Sequence, residues 1–207
     1  MNLKSLVIPS GKISPHYKKF VMWSFASNVL VSMQTAMTTH SMLDVIGSVE
    51  GGETIRTVNY IGKDIIGQVG SLMYMAKMGE KSDSEPERFM THAGVIQQMS
   101  LGMMAITPLI SNSVFLPVAG MANLMSNISF TGYGAINAKC IQEMSDGNIG
   151  EMYAKITTVN TMASSLGLGL GIGMCYAIPD HATRACVVPL IGVARIYTFK
   201  KAIEDII

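Results

Sequence analysis

The chain has 207 residues, 49% of them hydrophobic and only 14% charged, where soluble globular domains carry roughly 25% charged residues. Fifteen Lys and Arg against fourteen Asp and Glu leave a net charge of +1, which excludes the basic field of a nucleic-acid binder and the high-charge signature of disorder. Three cysteines, Cys140, Cys175 and Cys186, are too few and too scattered for a disulfide framework.

In chain order, the first predicted helix covers roughly residues 16–43, after Ile13-Ser14-Pro15. Phe20 to Leu43 is a run of 24 residues without Asp, Glu, Lys or Arg. The second helix covers roughly 57–78 and carries Lys63 and Asp64 near its start. Lys63, Gly67, Gly70 and Tyr74 fall on one face of it at i, i+4, i+7 and i+11. The third, roughly 86–110, opens at Ser84-Glu85-Pro86, read as a capping serine and an early proline. The fourth spans roughly 113–138. These two share the 50-residue charge-free stretch from Phe89 to Ala138, broken by Thr107-Pro108 and Ser111-Asn112-Ser113 into a helical hairpin. The fifth and sixth helices cover roughly 149–177 and 181–204, and Ile156 to Pro179 is again free of charge over 24 residues. The links 44–56, 79–86 and 139–148 hold most of the acids, with Gly51-Gly52 and Asp146-Gly147, and read as polar turns within one domain over residues 1–207. No strand alternation persists, so the fold class is all-α.

A charge-poor apolar stretch of about 18 residues or more is long enough to cross a bilayer core of ~30 Å. On charge depletion the chain therefore reads as a polytopic transmembrane helical bundle of about five to six helices. Asn28, Gln34, His40, Gln97, Gln98, Asn123, Asn127 and Asn160 would then hydrogen-bond between helices. Lys4, Lys12, Lys18 and Lys19, with no acid before Asp44, place the N-terminal flank on the cytoplasmic or matrix side. This start favours an organelle address, the mitochondrial inner membrane ahead of a plastid membrane.

Gly167, Gly169, Gly171 and Gly173 lack the preceding strand that a dinucleotide loop needs. On a helix they form two opposed small-residue stripes, Gly167 with Gly171 and Gly169 with Gly173, which predict helix five gripped on two sides. Lys63 and Asp64 are open to two readings: an interfacial pair whose lysine snorkels, or a charged pair inside the bundle. His16, His40, His92 and His181 lie in four segments without metal-ligand spacing, and the eighteen methionines read as core filler. There is no Gly-x-Ser-x-Gly elbow, Cys-x-x-Cys or His-Glu-x-x-His. Catalytic residues, metal and cofactor are all expected to be absent.

Ile8-Pro9, Gly11, Ile13-Ser14-Pro15, Tyr17 and Trp23 resemble the opening signature of the root UVB sensitive (RUS) family. Lys63-Asp64 with Gly67 and Gly70 is similar to its lysine–aspartate–glycine segment, and Phe115-Leu116-Pro117 with Asn123 to its next apolar stretch. Asn148-Ile149-Gly150-Glu151, Ala154-Lys155, Asn160 and Gly167-Leu168-Gly169 form the most specific match, followed by His181, Arg184 and Arg195. The chain departs from the family pattern at Ile65, His16, Ser24 and Asn137. The resemblance implies a short divergent member without the family's C-terminal portion. It further implies an intracellular membrane protein, tied in plants to ultraviolet-B responses in roots, auxin transport and vitamin B6 homeostasis, and it carries no catalytic reaction. The expected function is a non-catalytic structural or accessory subunit of an organelle membrane complex, its partners the lipid bilayer and other membrane subunits. The alternative is a transporter or carrier with a polar site at Lys63, Asp64 and Asn160. An enzyme of vitamin B6 metabolism has only the family link behind it.

Overall fold

The computed structural model describes residues 7–11, 13–48, 52–78 and 84–207. Lys4, Lys12, Gly51 and most of the 79–86 link lie outside them. Six long helices make up the described fold: α1 (Tyr17–Ser48), α2 (Gly52–Met78), α3 (Pro86–Ala105), α4 (Phe115–Met144), α5 (Ile149–Ala177) and α6 (His181–Ile203). Two short 3-10 turns, Thr107–Leu109 and Asn112–Val114, close the α3–α4 hairpin. The helices outrun the charge-free stretches because burial, not charge, sets their ends. α4 continues past Lys139 to Met144, since Ile136, Cys140, Ile141 and Met144 extend one buried face. α1 continues past Leu43, with His40 Nδ1 3.0 Å from Asp44 Oδ2 one turn on. α3 starts at Pro86, but its N-cap is Glu85, whose side chain makes no capping bond. α6 has a true cap, in which Asp180 Oδ2 accepts from Thr183 N at 2.7 Å.

α1 is the central helix and packs against α5, α6 and α3. α4 lies on α3, and α2 lies chiefly on α4, outside the central group. The largest apolar cluster gathers Tyr17 and Phe20 of α1, Phe89 of α3, Ile136 and Ile141 of α4, Met152 and Ile156 of α5 and Phe199 of α6. The centre is thus α1, where the glycine pattern predicts α5. α1 offers small and polar side chains to three neighbours, whereas α5 uses one glycine stripe only.

The transmembrane expectation is corrected here. Among the described residues no helix is long and apolar enough to cross a membrane, and the integral-membrane placement falls with the polytopic bundle. Length is not the obstacle, for α1 has 32 residues and α4 has 30. A stretch without charge is not thereby apolar, and these stretches are rich in Ser, Thr, Asn, Gln and Gly. Those polar groups knit helix to helix. Gln34, fully buried, donates through Nε2 to Gln98 Oε1 at 2.8 Å and to the Val188 carbonyl at 2.7 Å. Ser100 donates to the Ala122 carbonyl at 2.6 Å and Ser129 to the Ala93 carbonyl at 2.7 Å. Buried polar atoms without such partners would each cost roughly 1–3 kcal/mol.

Candidate functional site

Lys63 and Asp64 sit where α2 crosses α4. Lys63 is 6% exposed, its Nζ 2.6 Å from Asp64 Oδ1 and 4.3 Å from the centre of the Tyr60 ring. Asn123 of α4 donates to the same Asp64 Oδ1 at 3.0 Å and to the Lys63 carbonyl at 3.1 Å. The four groups form a clip between two helices. Asn160 is bound elsewhere: Asn28 Nδ2 donates to its Oδ1 at 3.1 Å, tying α1 to α5. The structure therefore does not bring Asn160 to Lys63 and Asp64.

Six glycines are expected from the sequence to pack helix on helix, Gly67 and Gly70 of α2 and Gly167, Gly169, Gly171 and Gly173 of α5, and four of them are in close contact. A Cβ on Gly67 would lie 2.8 Å from Asn127 Nδ2 and 3.0 Å from the Asn123 backbone, and one on Gly70 would run into Leu124. A Cβ on Gly167 would run into the Val29 carbonyl oxygen, and one on Gly171 would lie 2.6 Å from both Met33 O and Ala36 Cβ. Gly169 and Gly173, on the opposite face of α5, have nothing within 4 Å of the same position. One stripe grips α1; the other is open.

A second polar centre joins residues that lie far apart in the sequence. Arg184, 2% exposed, reaches from the first turn of α6 to the last turns of α1. Its Nη1 is 2.9 Å from His40 Nδ1, and its Nη2 is 2.9 Å from His181 Nδ1 and 3.0 Å from the Pro179 carbonyl. Asp44 Oδ2 lies 3.9 Å from Nη2 and 3.7 Å from His181 Nε2. The single carboxylate faces one guanidinium and two imidazoles. Beside this node a cleft of about 140 Å³ opens between α1 and α5, lined by Ala36, His40, Ile172, Cys175 and Tyr176. Sequence spacing flags His40 with Asp44 and His181 with Arg184 only as local helical pairs. Their meeting needs α1 and α6 side by side. Among the described residues, no group of three or more His, Cys, Asp or Glu is placed to hold a metal.

Arg195, two turns before the end of α6, is 4% exposed and stacks 3.6 Å over the Tyr133 ring. Its Nε and Nη1 find no hydrogen-bond partner among the described residues. Burial alone pulls its guanidinium down to about 9. At the end of the bundle where α6 finishes, Ser10 donates to Glu151 through its backbone N–H at 2.8 Å and its hydroxyl at 2.9 Å. The Tyr17 hydroxyl donates to the Val7 carbonyl at 2.6 Å. These bonds strap residues 7–11 over the start of α5, and the Ser10 N–H holds the Glu151 carboxyl below its ordinary range.

The profile described as the vitamin B6 photo-protection and homoeostasis domain matches residues 1–207. Three curated proteins of Arabidopsis thaliana are similar to the chain. Protein root UVB sensitive 2, chloroplastic, is 24% identical over 92% of this chain and 45% of its own length. Protein root UVB sensitive 4 is 26% identical over 82% of this chain and 33% of its own length. Protein root UVB sensitive 5 is 27% identical over 82% of this chain and 36% of its own length. The chain thus spans between a third and just under half of these relatives. No solved structure matches it. The mitochondrial inner-membrane expectation is corrected on two grounds: no described helix is long and apolar enough to span a membrane, and a relative matched over 92% of the chain is named chloroplastic. A basic, acid-free start does not separate the two organelles.

Proposed function

The chain belongs to the root UVB sensitive family, that of the vitamin B6 photo-protection and homoeostasis domain, and on that premise we propose that it serves as a non-catalytic accessory module, docking a partner polypeptide along the outer face of α2. The observation that carries this reading is the two-sidedness of α2. One face, with Lys63, Gly67 and Gly70, is closed against α4. The other presents Val58, Ile61, Ile65, Val69 and Leu72 at i, i+3, i+7, i+11 and i+14, every one more than half exposed. Burying a side chain of this kind is worth roughly 1.5–3 kcal/mol. A continuous apolar stripe of this length is the signature of an interaction surface. It contains no charged side chain, so the partner it fits is an amphipathic helix offering aliphatic residues.

The test is to purify the tagged chain with its partner from cells under mild conditions, beside an Ile65→Glu/Leu72→Glu variant, with a photo-crosslinker at position 69. The wild type should migrate as a complex on native gels and crosslink to a second polypeptide. The variant should run alone with unchanged helix content. Migration of the wild type solely as a monomer, without adducts at position 69, would overturn the proposal.

A further inference from the structure

Arg184 is buried at the junction of α1 and α6, and its acceptors are of an unusual kind. A guanidinium can only donate, and carboxylates are its usual strong partners. Here two of its three hydrogen-bond partners are imidazole nitrogens, His40 Nδ1 at 2.9 Å from Nη1 and His181 Nδ1 at 2.9 Å from Nη2. The third is the Pro179 carbonyl at 3.0 Å. Imidazole is the one side chain whose charge ordinarily changes between about pH 5 and 8, and a protonated ring nitrogen no longer accepts.

His181 has its Nδ1 on Arg184 and its Nε2 3.7 Å from Asp44 Oδ2. Its neutral ring therefore accepts at Nδ1 and carries its hydrogen on Nε2. A second proton lands on Nδ1 and sets N–H against N–H. His40 Nδ1 stands between Arg184 and, at 3.0 Å, Asp44 Oδ2. It serves one of them at a time: as an acceptor it holds Arg184 across the junction, and as a donor it holds Asp44 on its own helix. Protonation leaves only the second arrangement. With both rings protonated, three cations surround one carboxylate, and Arg184 keeps a single acceptor, the Pro179 carbonyl. The side chains of His40 and His181 are 48% and 34% exposed, whereas Arg184 is 2% exposed. Protons reach the rings, and the guanidinium has little water to take their place.

The other groups around the node leave this balance alone. Asp180 is occupied by Thr183, whose hydroxyl and N–H hold its carboxyl below the ordinary range. Cys175 and Tyr176 of α5, which line the cleft with His40, bring a thiol and a phenol, neither of them a cation. Residues 98–105 of α3, the Thr107–Leu109 turn and residues 115–122 of α4 carry no titratable side chain. Glu53, in the first turn of α2, makes no ion pair with the node among the described residues. Farther along α6, the Val188 carbonyl accepts from Gln34 Nε2 at 2.7 Å, a link to α1 that does not titrate. Release is thereby confined to residues 181–187.

We propose that this node is a proton-operated latch: with His40 and His181 neutral, Arg184 fastens the first turns of α6 to the end of α1, and protonation of both rings unfastens them. The closed junction binds fewer protons than the open one, so lowering the pH favours opening. Ala185 and Val187, on the turns that open, pack on the cluster of Met37, Cys175 and Val188. Opening thus uncovers apolar surface under acid conditions. The latch involves no residue of α2 and stands independently of the docking face.

Hydrogen exchange of the full chain, corrected for the intrinsic pH dependence of amide exchange, tests the latch. From about pH 8 to about pH 5, protection of the Arg184–Val187 amides should fall about tenfold or more, while that of the α1 amides around Phe20 stays within about twofold. His40→Gln/His181→Gln supplies amide oxygens that accept from Arg184 and do not titrate, so its protection should be equal at both pH values. In the wild type, the buried Nε–H of Arg184, which has no partner among the described residues, gives a readout that needs no variant. Its NMR signal should broaden toward water exchange in step with the titration of the two rings. Four results would each overturn the proposal: unchanged protection of Arg184–Val187 in the wild type, a fall shared equally by the Phe20 amides, a response that survives in the folded double variant, or an Nε–H signal indifferent to the titration of the rings.

Discussion

Two buried arginines on one face of α6 are held in opposite ways. Arg184 is surrounded by His40, His181, the Pro179 carbonyl and, at a distance, Asp44. Arg195 has an aromatic face and no carboxylate within ion-pair distance among the described residues. Replacing Arg184 by Met strands several polar groups and should cost about 2 kcal/mol or more in chemical denaturation. Replacing Arg195 by Met exchanges a desolvated cation and its ring stack for an apolar chain of similar length. That variant should stay within ~1 kcal/mol of the wild type at neutral pH. The pH dependence separates the two arginines further. Arg195 holds its proton less tightly folded than unfolded, so the unfolded chain binds more protons above about 9. Stability of the wild type relative to Arg195→Met should therefore rise as the pH climbs through that value. A flat difference between the two proteins across that window would refute the assignment.

At the scale of the element, the informative contrast lies within α5. Gly167 and Gly169 are two residues apart and equally unfavourable as helix formers, yet only Gly167 touches α1. Gly167→Ala would push a methyl group into the Val29 carbonyl of α1 and should destabilise by about 1–3 kcal/mol. Gly169→Ala meets nothing and should stabilise by up to about 1 kcal/mol through helix propensity alone. Opposite signs in urea midpoints are the expected outcome. The glycine spacing alone shows two stripes and assigns both to packing. Only the neighbour's position tells that one of them is used.

For the whole molecule, the arrangement is a central group of α1, α3, α5 and α6, extended by α4, with α2 outermost. α2 rests chiefly on α4 and is fastened there by the Lys63, Asp64 and Asn123 clip. Asn123→Ala removes both Asn123 bonds to α2 and should lower protection of the α2 amides against hydrogen exchange by about 1–2 kcal/mol. Amides of α1 around Phe20 and Met37, in the fully buried centre, should keep theirs. Equal loss in both helices would mean that α2 is part of one cooperative core.

Sequence periodicity by itself determined that the chain is all-helical, roughly where six helices run, and that Lys63, Gly67 and Gly70 share a face. These properties are local, set by the 3.6-residue repeat and by Pro and Gly at the breaks. Only the tertiary structure decided what lies against each face: α4 over Lys63, α1 under Gly167, and Arg184 between His40 and His181. The membrane reading failed for the same reason. Absence of charge can be read residue by residue, but the destination of Gln34, Ser100 or Asn28 depends on partners tens of residues away. A buried polar group is stabilised by what meets it, and the chain's order does not say what that will be.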